Sequence, residues 1–290
     1  METTTRETAL ATENRAVPKY DITVLQPATH RQALVIPVIN EGERIRGQLR
    51  SIAAAAPRVD VVIADGGSSD GSLDPAFLKE VGVHALLVKR DTGRLGAQLR
   101  MAYAWCLDQG YTGIVTMDGN GKDGVEAIDD FIAKLDDGFD YVQGSRYQRG
   151  GQAINTPLDR WLGGRIFHAP ILSVVGKRWY SDTTNGFRAY SRRYLLDPRV
   201  APFRDLFDRY ALLFYLTIRA GQLGYRTCEI PVVRRYPADT KPPTKIAGFR
   251  GRIDMLKELL GVALGRFHPP DAALPGGGKA RKVPPTGARQ

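Results

Sequence analysis

Two carboxylates stand where apolar runs end. Asp65 closes Val59-Asp60-Val61-Val62-Ile63-Ala64 and opens the turn Asp65-Gly66-Gly67-Ser68-Ser69-Asp70-Gly71. Asp118 follows Gly113-Ile114-Val115-Thr116-Met117 and opens Asp118-Gly119-Asn120-Gly121-Lys122-Asp123-Gly124. A carboxylate beside glycines such as Gly67, which let backbone approach closely, suits recognition of a base or ribose through its donors. Taken alone, an Asp-Gly pair is more often only a turn. At the second site a hard divalent cation bridging a diphosphate needs oxygen ligands on a short rigid turn, and Asp118 with Asn120 supplies two. The plain structural alternative there is an Asx turn.

The elements that would position these residues alternate. Ala33–Val38 reads as a buried strand, residues 43–56 as a helix, Val59–Ala64 as a strand, His84–Lys89 as a weaker strand, Leu95–Gln109 as a helix, Gly113–Met117 as a strand, Val125–Leu135 as a helix and Tyr141–Gln143 as a strand. That order predicts an α/β fold with a mostly parallel sheet flanked by helices, in which ligands sit at the carboxyl ends of the strands, where Asp65 and Asp118 fall. From Arg146 the pattern turns irregular and basic, with helices expected at 158–173, 207–223 and 253–264 and a strand at 226–232. Residues 1–30 and the Pro/Gly/Lys-rich tail 268–290 lack periodicity and are expected to be disordered, leaving one domain over 31–267.

With 290 residues, 43% of them hydrophobic, the chain can bury one large core. Cys106 and Cys228 lie far apart in the sequence, which favours a reduced, cytoplasmic protein over a disulfide framework. The first residues lack a basic start followed by an apolar stretch, and no apolar run reaches the roughly 20 residues of a membrane span. The amphipathic stretch Ile253–Leu264, preceded by Lys245, Arg250 and Arg252, allows peripheral contact with the inner face of a membrane, although packing on the core is the commoner use of such a helix. The net charge of +10 calls for an anionic partner. Between Arg146 and Arg193 nine basic residues face only Asp159 and Asp182, marking a polyanion-handling region.

Nucleic acid is not the expected partner, because the basic residues do not interleave with a helix-turn-helix, zinc-finger or stacking signature. Gly67-Ser68-Ser69-Asp70-Gly71 satisfies the Gly-x-Ser-x-Gly pattern of serine hydrolases, but Ser69 stands too far past the strand end for a nucleophile elbow, with only His84 or His168 as internal partners. The Gly-x-x-x-x-Gly-Lys run of a P-loop is absent from the sequence.

Taken in order, Ile36-Pro37-Val38-Ile39-Asn40-Glu41, the Asp65 turn, Met117-Asp118-Gly119-Asn120, Gly144-Ser145-Arg146-Tyr147 with Gly150-Gly151, and Asp182-Thr183-Thr184-Asn185-Gly186-Phe187-Arg188-Ala189-Tyr190 resemble family 2 glycosyltransferases. Within that family they are most similar to the enzymes that glycosylate dolichol phosphate and other polyprenyl phosphates. The resemblance implies a GT-A (Rossmann-like) fold, a nucleoside diphosphate sugar donor, Mg2+ or Mn2+ on an Asp-x-Asp turn, and inversion at the anomeric carbon. Residues 31–145 would then hold the nucleotide sugar and 146–267 the acceptor, most simply a polyprenyl phosphate. A soluble phosphate- or hydroxyl-bearing acceptor is the alternative.

By position, the resemblance places Pro37, Asn40, Glu41, Asp65 and Gly67 at the nucleotide, and Asp118, Gly119, Asn120 and Lys122 at the diphosphate, with Asp118 and Asn120 as metal ligands. It places Arg146 and Arg160 on the acceptor phosphate, and Lys245, after Arg234-Arg235-Tyr236 and Thr244, on the leaving diphosphate. Asp182 is the candidate for touching sugar or acceptor, or for serving as base to a hydroxyl, with a loop-capping carboxylate as the structural alternative. Two departures stand out: the second metal-site Asp is Asn120, and Lys122 replaces a neutral residue, so an ammonium can neutralise diphosphate where cation affinity is weakened.

Overall fold

The computed structural model describes residues 15–237 and 248–269. Ten strands are present among them: β1 (Tyr20–Val24), β2 (Gln32–Val38), β3 (Asp60–Asp65), β4 (Val83–Lys89), β5 (Gly113–Thr116), β6 (Tyr141–Ser145), β7 (Gln152–Ile154), β8 (Arg188–Ser191), β9 (Thr227–Pro231) and β10 (Val233–Arg235). Eight build the main sheet in the order β1-β4-β3-β2-β5-β8-β6-β9, and β10 pairs with β7 in a small parallel ribbon. Pairings from β4 through β3 and β2 to β5 are parallel, as expected. The short strand β8, which the sequence pattern does not reveal, enters antiparallel between β5 and β6.

The helices are α1 (Glu43–Ala55), α2 (Pro75–Glu80), α3 (Leu95–Asp108), α4 (Ile128–Asp136), α5 (Leu158–Leu162), α6 (Ala169–Val175), α7 (Arg192–Leu196), α8 (Ala211–Gln222) and α9 (Gly248–Ala263). A π-helical turn, Gly163–His168, joins α5 to α6, so the helix expected over 158–173 exists with a widened middle. Successive strand residues point to opposite faces. Along β2, Ala33 and Val35 accordingly join a core with α3 and α8, while Leu34, Ile36 and Val38 join a second core with α1, α2 and α4. Both faces are covered, which is why the central strands read as unbroken apolar runs.

One expectation is corrected. The segment before residue 31 is not wholly disordered: β1 pairs antiparallel with β4 from Tyr20↔Lys89 to Val24↔Ala85, and Asp91 Oδ2 accepts a 2.6 Å bond from the Lys19 backbone amide. Tyr20, Ile22 and Val24 do alternate with Asp21 and Thr23, a five-residue period-2 signal that the expectation of an aperiodic segment passes over. Most residues of the expected tail 268–290 lie outside the described ones.

Candidate active site

The two acidic turns flank the carboxyl end of β2. Asp65 is in register with Val38, and the Gly66 amide donates to the Val38 carbonyl at 2.8 Å. On the other side Gly119 packs so closely that a Cβ there would come within 2.9 Å of the Pro37 carbonyl oxygen. The sheet therefore brings Pro37, Asp65 and Gly119 to one rim. Gln98 on α3 secures it, donating to the carbonyls of Val38 and Ala64 at 2.9 Å each.

Asp65 itself is buried and turned onto its own loop, where its carboxylate accepts from the Ser68 amide at 2.9 and 3.0 Å and from the Ser68 hydroxyl at 2.6 Å. Asn40, held at φ 49°, cross-braces that loop: its amide donates to Ser68 Oγ at 3.0 Å, and its side-chain oxygen accepts from the Ser69 amide at 2.8 Å. Gly67 takes φ 97°, a conformation that favours glycine. Glu41 lies beside it, bridged to Arg44 at 2.9 Å. Ser69 is thus a turn residue. Nδ1 of His84 bonds the Gln26 carbonyl and Nδ1 of His168 the Thr183 hydroxyl, and neither ring is hydrogen-bonded to Ser69.

The Asp118 turn is clamped by a residue the sequence reading did not single out. Gln48 on α1 donates to the Asp118 carbonyl and accepts from the Gly121 amide, both at 2.9 Å. Asp118 Oδ2 accepts from Arg234 Nη2 at 2.9 Å and from Asn120 Nδ2 at 3.4 Å, and its side chain is 30% exposed. Its other oxygen faces Gly186, close enough that a Cβ there would approach Oδ1 to 2.5 Å. Arg234, on β10, also bonds the buried Asp123 at 2.5 Å. Burial raises the Asp123 carboxyl above its ordinary value despite Arg234. For Arg234, burial works against the charge, but Asp123 and Asp118 outweigh it and raise the guanidinium well above its ordinary value.

Around Tyr236 the cations converge. Lys122 Nζ lies 5.0 Å, Arg160 5.4 Å and Arg234 5.7 Å from its ring centroid, and Arg160 Nη1 donates to its hydroxyl at 3.4 Å. Burial, then the charge of Arg234, lowers the Lys122 ammonium below its ordinary value. Burial alone would raise the Tyr236 phenol, yet Arg234, the bond from Arg160 and the charge of Arg146 bring it below its usual value. One phenol ring therefore gathers Lys122 and Arg160 from the expected set, with Arg234 linking the group to Asp118. The Thr244-Lys245 pair lies outside the described residues.

Arg146 and Asp182 meet, but they meet each other. Nε donates to Oδ2 at 2.7 Å and Nη2 to Oδ1 at 2.9 Å, the Arg146 amide adds a third bond at 3.1 Å, and Thr184 contributes its amide and hydroxyl to Oδ1 at 3.2 Å each. Both side chains are buried. Burial alone would raise the Asp182 carboxyl, but the Arg146 bonds and charge hold it below the ordinary carboxylate range. Five donors saturate the carboxylate, the geometry of the loop-capping alternative, and a depressed carboxyl is a poor proton acceptor. Arg146 is in turn committed to positioning the Asp182–Thr184 loop, which Glu229 on β9 grips from behind through the Ser181 amide at 2.9 Å.

The residues present fit a divalent cation in one respect: Asp118 keeps one carboxylate oxygen outside its hydrogen bonds, and such ions are commonly held by one or two carboxylates together with substrate phosphates. Among the described residues no group of three or more His, Cys, Asp or Glu could hold a metal ion. Asn120 uses its amide nitrogen on Asp118, while its oxygen accepts from the Lys122 amide at 3.3 Å.

Against this geometry, the model of glycosyl transferase family 2 matches residues 33–197, and the chain belongs to that family. It is a glycosyltransferase. It is similar to the polyprenol monophosphomannose synthase of Mycolicibacterium smegmatis, 28% identical over 209 residues that cover 70% of this chain and 77% of the relative. It is likewise similar to the undecaprenyl-phosphate mannosyltransferase of Micrococcus luteus, 28% identical over 227 residues, 75% of this chain and 90% of the relative. Among solved structures, glucosyl-3-phosphoglycerate synthase from Mycobacterium tuberculosis in complex with UDP shares the GT-A fold, with a TM-score of 0.58 at 16% identity, covering 88% of this chain and 82% of that one. The same enzyme with Mn2+, UDP and glucosyl-3-phosphoglycerate gives a TM-score of 0.54 at 17% identity, covering 89% and 81%.

Proposed function

We propose that this enzyme moves a sugar from a nucleoside diphosphate sugar to a polyprenyl phosphate, with inversion at the anomeric carbon. The observation that carries the reading is the cluster of Lys122, Arg160 and Arg234 around Tyr236, joined to Asp118 by the Arg234 bond and lying on the sheet rim that also bears the Asp65 turn. The nucleotide would lie along Pro37, Asn40, Glu41, Asp65 and Gly67, with its diphosphate at Asp118, Gly119, Asn120 and Lys122. Mg2+ or Mn2+ bound through Asp118 and Asn120 would supply Lewis acidity toward the leaving diphosphate.

An acceptor phosphate oxygen attacks the anomeric carbon while the carbon–oxygen bond to the diphosphate breaks, its electron pair leaving with the nucleoside diphosphate. Lys122, and Lys245 by its expected role, meet the charge that develops there. Arg160 holds the acceptor phosphate, a task that suits a guanidinium fork. A phosphate nucleophile is already deprotonated and needs no base, whereas a hydroxyl needs one. The saturation of Asp182 by Arg146 therefore supports the phosphate over the hydroxyl.

The test is transfer from a panel of radiolabelled nucleotide sugars to undecaprenyl phosphate, dolichyl phosphate and sugar-like alcohols, with and without manganese. Product on a polyprenyl phosphate, lost in Asp118→Ala, is expected. Transfer to the alcohols alone would refute the acceptor assignment.

A further inference from the structure

Surface helices ordinarily turn their apolar stripe inward and leave a polar face in water. The stretch from Leu158 to Trp179 departs from this. Its inward positions Gly164, His168 and Leu172 recur every four residues and are buried, but its outward side carries Leu158, Trp161, Ile166, Phe167 at 63%, Val174 at 76% and Trp179 at 71% exposure. Half of the exposed large hydrophobic side chains of the described residues lie in this one segment. A concentration of that kind on a soluble surface marks an interaction site.

Its charge says what kind. Arg160, Arg165, Lys177 and Arg178 accompany the apolar residues, against the single acid Asp159. Tryptophans near both ends, large aliphatic residues between them and cations alongside are the composition of elements that lie in a lipid interface. A second copy of the chain would bring like charge against like charge across a two-fold axis, whereas anionic headgroups complement it. The segment also borders the site: Arg160 reaches the Tyr236 hydroxyl at 3.4 Å, and the Arg165 guanidinium lies 4.7 Å from the Tyr147 ring centroid.

We infer that residues 158–179 are a docking face by which the enzyme lies on an anionic lipid bilayer, with its Arg160–Tyr236 side turned to phosphates borne at the membrane surface. This face is distinct from the stretch Ile253–Leu264, for which peripheral contact is a separate expectation. The inference rests on the reading of the acceptor as a polyprenyl phosphate.

Flotation of the full chain with phosphatidylcholine vesicles, with and without about one quarter phosphatidylglycerol, tests it. The wild type is expected to float with the anionic vesicles, less with the neutral ones, and less again at high salt. Phe167→Glu, Val174→Glu and Trp179→Glu combined should lower partitioning at least about tenfold. The same variant should keep its melting temperature and its transfer to a short, water-soluble isoprenyl phosphate, while transfer to vesicle-embedded undecaprenyl phosphate falls by a similar factor. A wild type that stays off anionic vesicles overturns the docking face. So does a triple variant that floats undiminished, or one that instead splits a dimer in analytical ultracentrifugation. Flotation as expected with no transfer to either phosphate supports the docking face and sinks the acceptor reading.

Discussion

At the scale of single residues, the geometry separates groups placed for chemistry from groups placed for support. Asp118→Ala should lower kcat/KM by at least about 100-fold with the far-ultraviolet circular dichroism unchanged, because the carboxylate is partly exposed and Asp123 keeps Arg234 paired. Gly186→Ala should impair transfer too, since the new methyl meets Asp118 Oδ1; donor binding by calorimetry would show whether the diphosphate subsite is what suffers. Arg160→Ala is expected to raise the KM for the acceptor while leaving that for the donor nearly alone. That Asp118, Lys122 and Arg160 belong to one candidate site was proposed from the family resemblance: Asp118 from its motif, Arg160 from its position and Lys122 as a departure from the usual pattern. For Asp182 a loop-capping role could be named but its partner could not, because a motif does not say which cation a carboxylate will face, and Arg146 is 36 residues away. Gln48, Arg234 and Tyr236 were undervalued for the same reason: each reaches the site only through a contact distant in sequence.

Among the secondary-structure elements, the second half of the chain is fastened by charge more than by pattern. The Arg146–Asp182 pair joins the end of β6 to the loop before β8, and Asp182→Ala would strand a buried guanidinium, a loss of about 3–5 kcal/mol measurable by urea unfolding. The His168 imidazole, held in the π-helical turn, is pushed by burial and the charge of Arg188 down to about 4, well below the ordinary imidazole value of 6.5. Between those values the unfolded chain takes up a proton that the folded one refuses. Stability is therefore complete above the unfolded value and falls by roughly 3 kcal/mol as pH drops toward the folded one. Urea midpoints measured across that window should show the slope, and His168→Leu should flatten it. The parallel strands β2, β3 and β5 could be read from their apolar runs, since both of their faces are covered. The strands β7, β8 and β10 span three or four residues each, too short for any period to declare itself, and β8 is defined by its neighbours alone.

For the whole molecule, charge and sheet edges set the behaviour. A net charge of +10 confronting the two phosphorylated substrates proposed above predicts that kcat/KM declines as salt is raised from about 50 mM to about 500 mM, with acceptor dependence declining most. The general architecture followed from the alternation of runs, but the antiparallel border did not, since β1 is one short, mostly solvent-facing run set apart from the rest of the pattern. That border has a practical meaning for anyone trimming the chain. With β1 in place the outer flank of β4 is spoken for; a protein begun at residue 26 would leave the buried strand β4 as the sheet edge, with Ala85–Lys89 stripped of their partner strand. Such a fragment would zip onto its own kind, and its light scattering would rise with concentration although every catalytic group remained present.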